Sequence, residues 1–543
     1  MQKLAKRMRG AVVLAICFAA QAGVWSQEAT DVIRALVEEL RVTGSLEVLA
    51  EPVASRELLP GIYENREFAP AWNTLRQIDG LLEIIDESYL EGLDPNDYHA
   101  EALRAARGTL ADPAALAPRE RAELDILLTD SIVRLGYHLR FGKIDSNALD
   151  PNWTSTQELF REDPAATIQE AIDSPSLREF AARAIPRHFL YERFKNALAE
   201  YRALEANGGW PSVPAGATLK PGGTDERVPA LAARLAVTGD FPASAAVDGM
   251  SYDYTLSTAV REFQARHGLA PDGAVGPATL AALNVPVAAR IEQLRANLER
   301  ARWVFYDPEG ELLVANIAGF QLYHLRRGEV IWRTRVQVGR PYRQTPIFRA
   351  EMTYLVVNPT WTVPPTIYRN DILPAVRRDP AYLAGRNIDA FDFGGARVDP
   401  AAVDWSGRNP PYRLVQRPGP DNALGRIKFM FPNDHSVYLH DTPSRDLFER
   451  DSRAFSSGCI RVENPFELAE QLLGARGRER LDAVVASGRT QTIFLDKPMP
   501  IMLLYWTAEP DETGRVSFLP DVYERDAAVI AALSEPFSAP DVL

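Results

Sequence analysis

The 543 residues contain two cysteines, Cys17 and Cys459, and only the second stands where a thiol could do chemistry. It lies in the run VYLHDTPSRDLFERDSRAFSSGCIRV, residues 437–462, preceded by Ser456, Ser457 and Gly458 and followed two residues later by Arg461. His440 belongs to the same run, with eighteen residues between it and the cysteine. A free thiol is mostly protonated at neutral pH, and an imidazole within reach corrects this by taking the proton or by stabilising the anion. Such a pair suits acyl transfer: the thiolate attacks an amide carbonyl, a thioester forms, and a second nucleophile resolves it. Gly458 and the backbone N–H of Cys459 are candidates for an oxyanion hole, in which losing one donor costs roughly 3 kcal/mol. The hydroxyls of Ser457 and Tyr438 can assist or orient, and Arg461 is a fixed cation suited to a substrate carboxylate. His435, His440 and Cys459 have no fourth zinc ligand at a suitable spacing, so neither a metal nor a cofactor is expected.

The elements around this run must position these groups. Side chains alternate along a strand, so over His435–Asp441 the residues Tyr438 and His440 share one face while Val437 and Leu439 face the core. His440 is thereby expected on the solvent or cleft side. Asn464, Pro465 and Glu467 read as a capping box opening a helix through Leu468, Leu472 and Leu473, with the cysteine just before it. Upstream, Leu313, Ala315 and Ile317 alternate, as do Phe320, Leu322 and His324, and then Val336 and Val338. With Arg327–Gly328 between two of the runs, these are hairpins of an antiparallel sheet. Residues 354–358 and 490–496 are further strands. Between 366 and 417 the alternation fades into a stretch rich in proline, arginine and aspartate, expected to be an insertion that serves as a lid.

A chain this long exceeds one hydrophobic core. Residues 28–225 predict a helical scaffold, with Leu124, Leu127, Leu128, Ile132 and Leu135 forming one apolar stripe. His99, His138 and His188 are isolated there and read as structural. Glycine and proline recur from 207 to 229, the composition of a linker or crossing segment. A small three-helix module spans 226–285, a connecting helix 286–306, the sheet domain 307–500 and a tail 501–543. At the start, Lys3, Lys6, Arg7 and Arg9 precede a short apolar run and the small-x-small triplet Ala20–Gln21–Ala22, which predicts a signal peptide over 1–22. The expectation is export to the periplasm, with a membrane tether if the leader stays. Cys17 would leave with it, so Cys459 would be the single thiol of an oxidising compartment, where an idle one is a liability. With 60 Lys and Arg against 73 Asp and Glu, the net charge is -13 and disfavours nucleic acid as a partner.

The histidine, the S-S-G-C-I-R-V box and Y-L-H-D-T-P resemble the catalytic signature of the L,D-transpeptidase family, with its YkuD-type catalytic domain. The F-Q…G-L…D-G…G…T…A-L-N series of residues 263–284 resembles a peptidoglycan-binding domain. The order of parts is similar to that of the family's large periplasmic members. The fold implied is multidomain α+β: a helical N-terminal scaffold, a small three-helix peptidoglycan-binding module, and a mostly antiparallel β catalytic domain with an inserted lid. The resemblance implies Cys459 as nucleophile, His440 as base, and Ser457, Gly458 and Arg461 as site-lining residues. Ser457 stands where many members have histidine, and Arg461 where others have asparagine. The implied donor is a tetrapeptide stem cut between its third, diamino residue and terminal D-alanine. The acceptor is the side-chain amine of another stem's third residue, and other cell-wall synthesis proteins are candidate partners. With no ATP outside the cytoplasm, the thioester must hold the energy of the broken amide. The residues leave open an L,D-carboxypeptidase that only trims D-alanine, and a wall-binding scaffold without catalysis.

Overall fold

The computed structural model describes residues 27–112, 115–145, 163–242, 249–304, 310–379, 381–407 and 412–536. The leader expected at 1–22 lies outside the described residues. No helix among them is long and apolar enough to cross a membrane. The fold is α+β, with a helical N-terminal region, a helical module and a mostly β domain.

The scaffold is organised by helix α1 (Pro118–Phe141), which has proline in its first turn, His138 and Arg140 in its last, and Gly142 just past its end. Its apolar stripe packs into one cluster reaching from Ile33 to Phe180. Buried polar groups pin that cluster. Asp125 accepts the N–H groups of Ala71 (2.9 Å) and Trp72 (3.0 Å) and the hydroxyl of Tyr63 (2.7 Å). The three histidines are not isolated. His99 bridges Glu51 and Asp130, 2.9 Å from each, which occupies both ring nitrogens. His138 meets the Tyr98 hydroxyl at 2.9 Å, and His188 accepts the Leu190 N–H at the start of a helix.

The module packs Val228–Val237, helix α2 (Tyr254–Arg266) and Pro277–Leu283 around Phe263, Tyr252 and Val260. Its motif residues are spent on the fold. The buried Gln264 donates to Asp272, Ala274 and Thr279 and accepts the Gly273 N–H. Helix α3 (Val287–Val304) then leads to the sheet domain.

Among the described residues nine strands form that sheet: β1 (Glu311–Asn316), β2 (Gln321–Arg326), β3 (Glu329–Gly339), β4 (Phe348–Val357), β5 (Ile427–Met430), β6 (Leu439–His440), β7 (Ala454–Ser456), β8 (Ile460–Val462) and β9 (Gln491–Leu504). Their order is β7-β3-β8-β6-β5-β4-β9-β1-β2, and β2 also pairs with β3, so the sheet closes on itself. Three pairings are parallel (β6–β8, β7–β3 and β9–β1) and the rest antiparallel. The hairpin at Arg327–Gly328 takes positive φ at both residues, the turn that matches strand twist. The strand expected over 435–441 is regular only at Leu439–His440, because Asn433 captures the Val437 backbone from both sides.

Two expected boundaries move. The sheet runs past 500, since Ile501 to Leu504 pair with Leu313 to Asn316. The residues beyond it are no tail: a hairpin of Ala508–Pro510 with Val516–Phe518 and helix α5 (Asp526–Ser534) pack into the body, with Arg300 of α3 on Asp526 at 2.5 Å. The stretch expected at 366–417 is a compact subdomain. Trp361–Thr362, Arg413–Gln416, Ile388–Phe391 and Arg397–Val398 make its own four-stranded sheet over a cluster including Tyr368, Leu373, Leu383 and Leu414.

The turn carrying Cys459 crosses the end of β3. Ser456 pairs with Gly339 on one side of β3, and Arg461 pairs with Gln337 on the other. A Cβ on Gly339 would lie 2.2 Å from the Arg343 carbonyl oxygen and 2.7 Å from the Thr345 nitrogen, both backbone atoms that cannot swing away. Gly339→Ala is expected to cost about 2–4 kcal/mol in denaturant unfolding. A loss under about 0.5 kcal/mol would show that the 340–345 loop gives way.

Candidate active site

Strand register assembles the site. Parallel pairing sets Leu439 against Ile460 and His440 against Arg461, while the Ile460 N–H donates to the Tyr438 carbonyl at 3.2 Å. On the other side of β6, Lys428 faces His440 and Phe429 faces Leu439. Arg461 in turn faces Gln337. In-register neighbours share a face of the sheet, so Lys428, His440, Arg461 and Gln337 form one polar row across four strands. Phe429, Leu439 and Ile460 point the other way and are fully buried.

His440 is only 4% exposed, not on the open side of the strand. Its Nδ1 lies 2.5 Å from the Asp441 carbonyl oxygen, which assigns the proton to Nδ1 and leaves Nε2 with its lone pair. Burial, and then the Arg461 and Lys428 charges, pull its pKa down to about 3. The imidazole is therefore neutral at working pH. Cys459 is half-buried, its Sγ 3.9 Å from the Ser436 carbonyl oxygen. Burial pushes its thiol up; the Tyr438 backbone and hydroxyl, Lys428 and Arg461 pull the other way without reversing that. Among the described residues no hydrogen bond joins His440 to Cys459. The resting pair is a neutral thiol and a neutral imidazole, not a preformed ion pair.

The box before the cysteine departs from expectation in two places. Gly458 takes φ +115°, which a side chain would resist, and its N–H donates to Ser456 Oγ at 3.1 Å. That N–H is thus spent and cannot serve an oxyanion hole. Ser456 Oγ donates in turn to the Cys459 carbonyl oxygen at 2.5 Å. The Ser457 hydroxyl accepts from Arg343 Nη1 (2.9 Å), which also reaches Asp371 of the insertion (2.7 Å). Ser457 therefore ties the box to the insertion. The capping box at Asn464 does not form. Asn464 donates to Thr334, Glu467 accepts from the Trp332 indole at 3.1 Å, and β8 separates the cysteine from helix α4 (Pro465–Leu473).

Arg461 donates to Gln337 at 3.1 Å, has its Nε buried without a partner, and forms no ion pair among the described residues. An unneutralised cation of this kind is available to a carboxylate. Two contributors escape a reading of the sequence alone. Lys428 is half-buried, with its Nζ 3.7 Å from the centre of the Tyr438 ring and its pKa lowered by burial. A signal for it exists, a lone lysine in the apolar run Ile427–Met430. Arg343 has none, because its partners lie 28 and 114 residues away.

Residues 310–495 match the model of the L,D-transpeptidase catalytic domain. The chain carries an L,D-transpeptidase catalytic domain. Residues 224–283 match a model whose description gives peptidoglycan binding as a provisional role, and 57–198 match a scaffold domain. A Haemophilus influenzae protein, whose name assigns it provisionally as an L,D-transpeptidase, is 39% identical over 242 residues, 44% of this chain. The match spans about half (49%) of that relative's length. Among solved structures, the chain is similar to an L,D-transpeptidase fragment from Xylanimonas cellulosilytica (16% identity, 54% of this chain and 99% of that one, TM-score 0.18). It is also similar to one from Stackebrandtia nassauensis (14% identity, 54% and 96%, TM-score 0.22). At those scores neither overlay bears on the geometry above.

The electrostatics of the transpeptidase domain set a pH dependence. A raised thiol reacts as thiolate only on the alkaline side of a free cysteine, and Lys428 holds it lower than burial alone would. The rate of iodoacetamide alkylation against pH is expected to show that alkaline midpoint. In Lys428→Met the midpoint should move further up, because a charge favouring the anion is gone. A midpoint at or below that of free cysteine, or a downward shift in the variant, would contradict this account.

Proposed function

We propose that the chain is an exported peptidoglycan L,D-transpeptidase that joins the third residues of two stem peptides through a thioester on Cys459. What carries this reading is Cys459 on the turn that opens β8, the strand paired with that of His440, inside the matched catalytic domain, with no ion pair on Arg461 among the described residues. In the first half-reaction His440 Nε2 takes the thiol proton as sulfur bonds to the carbonyl carbon of the diamino residue. The amide to D-alanine breaks, and D-alanine leaves with the proton that His440 held. In the second half-reaction the side-chain amine of another stem attacks the thioester, its proton passes to His440, and the thiol is restored. Tyr438 steadies the sulfur, Arg461 receives a substrate carboxylate, and no metal or cofactor takes part. Peptidoglycan lies outside the cytoplasmic membrane, which agrees with an exported protein.

The neutral pair described above supports general-base transfer at the moment of attack, and hydrogen bonds of this type often tighten only once substrate is bound. The insertion serves as the lid, held to the box through Asp371, Arg343 and Ser457. Asp371→Ala is expected to lower cross-linking several-fold, about 1 kcal/mol for one charged contact, with iodoacetamide alkylation unchanged. Undiminished dimer yields would leave the insertion without a part in turnover.

The deciding experiment incubates the protein with disaccharide-tetrapeptides and reads the products by mass spectrometry. Dimers joined through two third residues are expected, and Cys459→Ala and His440→Ala should each abolish them while unfolding at the parent's midpoint. Tripeptide monomers alone would make the protein an L,D-carboxypeptidase. Turnover retained without Cys459 would end the assignment, and no cysteine-dependent product would favour a wall-binding scaffold. Carbapenem exposure is expected to add one acyl adduct at Cys459, and an unchanged intact mass would count against that.

A further inference from the structure

The segment beyond the matched catalytic domain reaches the cysteine box through two hydroxyls. Thr345, fully buried, donates from Oγ1 to the Gly458 carbonyl oxygen at 2.8 Å and accepts the Gly339 N–H at 2.9 Å. Its own N–H donates to Tyr523 Oη at 3.2 Å, and that hydroxyl donates to the Gly339 carbonyl oxygen at 2.7 Å. Tyr523 is held by stacking on Tyr505, with ring centres 5.4 Å apart and 15° between planes, and its N–H donates to Tyr505 Oη at 2.8 Å. Arg525 adds a bond to Gln344 at 2.6 Å. The 339–345 loop is thus clamped between the C-terminal segment and Gly458.

The bond to the Gly458 oxygen has a directional consequence. That oxygen and the Cys459 N–H belong to one planar trans peptide, on which they point in opposite directions. Fixing the carbonyl from behind therefore aims the N–H forward. Among the described residues no acceptor takes the Cys459 N–H, whereas the Gly458 N–H is bound to Ser456. With φ at +115° Gly458 takes a backbone that residues with side chains rarely adopt, and Ser456 and Thr345 hold its peptide groups from either end.

We propose that Thr345 and Tyr523 are positioning residues for the oxyanion hole, which makes the C-terminal segment part of the active site. The inference rests on the acyl-transfer reading of Cys459. When sulfur bonds to the carbonyl carbon and the thiol proton passes to His440, the π pair of the carbonyl moves onto oxygen. The Cys459 N–H meets that oxyanion only if the Gly458 peptide keeps its orientation. Neither hydroxyl touches substrate; both act through this one peptide plane.

The test compares two reactions of the same sulfur in the full-length chain. Acylation by p-nitrophenyl acetate passes through an oxyanion, whereas alkylation by iodoacetamide displaces iodide and forms none. Thr345→Val and Tyr523→Phe are each expected to slow acylation by about tenfold or more while leaving alkylation within about twofold of the parent. Thr345→Ser, which keeps the hydroxyl, should restore acylation. Parallel loss of both rates would mean that the pair only supports the loop, and unchanged acylation would mean that it does not aim the peptide; either overturns the proposal. Should the valine variant not fold, Tyr523→Phe decides alone. A parent that takes the ester but forms no wall dimers would remove the transpeptidase reading and leave this one standing. A parent alkylated at Cys459 but never acylated would remove both.

Discussion

A parallel pairing only two residues long, Leu439 on Ile460 and His440 on Arg461, holds the candidate catalytic groups in one place. Parallel neighbours cannot be joined by a tight turn, so the chain must leave β6, travel, and return. It does so by passing β8 and β3 to pair as β7 on the far side of β3, then doubling back over the end of β3 through Ser457, Gly458 and Cys459. The cysteine therefore sits on a turn that straddles another strand. This single constraint accounts for Gly339, whose side chain would collide with backbone, and for the left-handed Gly458. It also explains why the 340–345 loop and the box share hydrogen bonds.

The same register gathers like charges. Lys428 and Arg461 flank His440 in a half-buried row, and among the described residues neither makes an ion pair. Burying cations without counter-charges costs stability, and a core designed only for folding would have apolar residues there. The row does two things in return. It adds to burial in keeping the imidazole neutral, with a free lone pair, and it lowers the energy of the thiolate that burial of Cys459 raises. In a chain whose net charge is -13, a local positive field is also a place where an anionic substrate group can settle. Buried charge concentrates where the proposed chemistry is, and the apolar face of the same strands, with Phe429, Leu439 and Ile460, supplies the compensating burial.

How much of the fold is legible in the chain depends on the range of each signal. Period-two alternation places β1 to β4, and the spacing of leucines places α1, because both signals lie within a few residues. Tyr438 and His440 sharing a face is legible for the same reason, and their rings do lie 5.7 Å apart. The depth of His440 is not, because it depends on β5 and β8 closing in from either side. The capping box at Asn464 is a local signal that tertiary contacts override: Thr334 and Trp332, more than a hundred residues upstream, take its two partners. The segment after 500 reads as a tail because its short elements, Ala508–Pro510 and Val516–Phe518, gain their stability by packing on distant helices.

That segment also changes how the module relates to the sheet domain. Arg266 at the end of α2 forms a buried pair with Asp240 and donates to the Val516 carbonyl, while the His267 ring lies 6.1 Å from that of Phe518. Gly268 approaches Pro520 so closely that a Cβ there would stand 3.0 Å away. The positions that make the module recognisable, Phe263, Gln264, Gly273 and Thr279, are its core and its turn, so the motif reports a stable fold before it reports a ligand site. A rigid module set against 516–520 restrains the chain leading to Tyr523, and Tyr523 restrains the loop beneath the cysteine. Through those contacts the module has a mechanical place in the molecule whether or not it holds glycan. A short turn laid over the end of a strand thereby gains a fixed support from outside its own sheet.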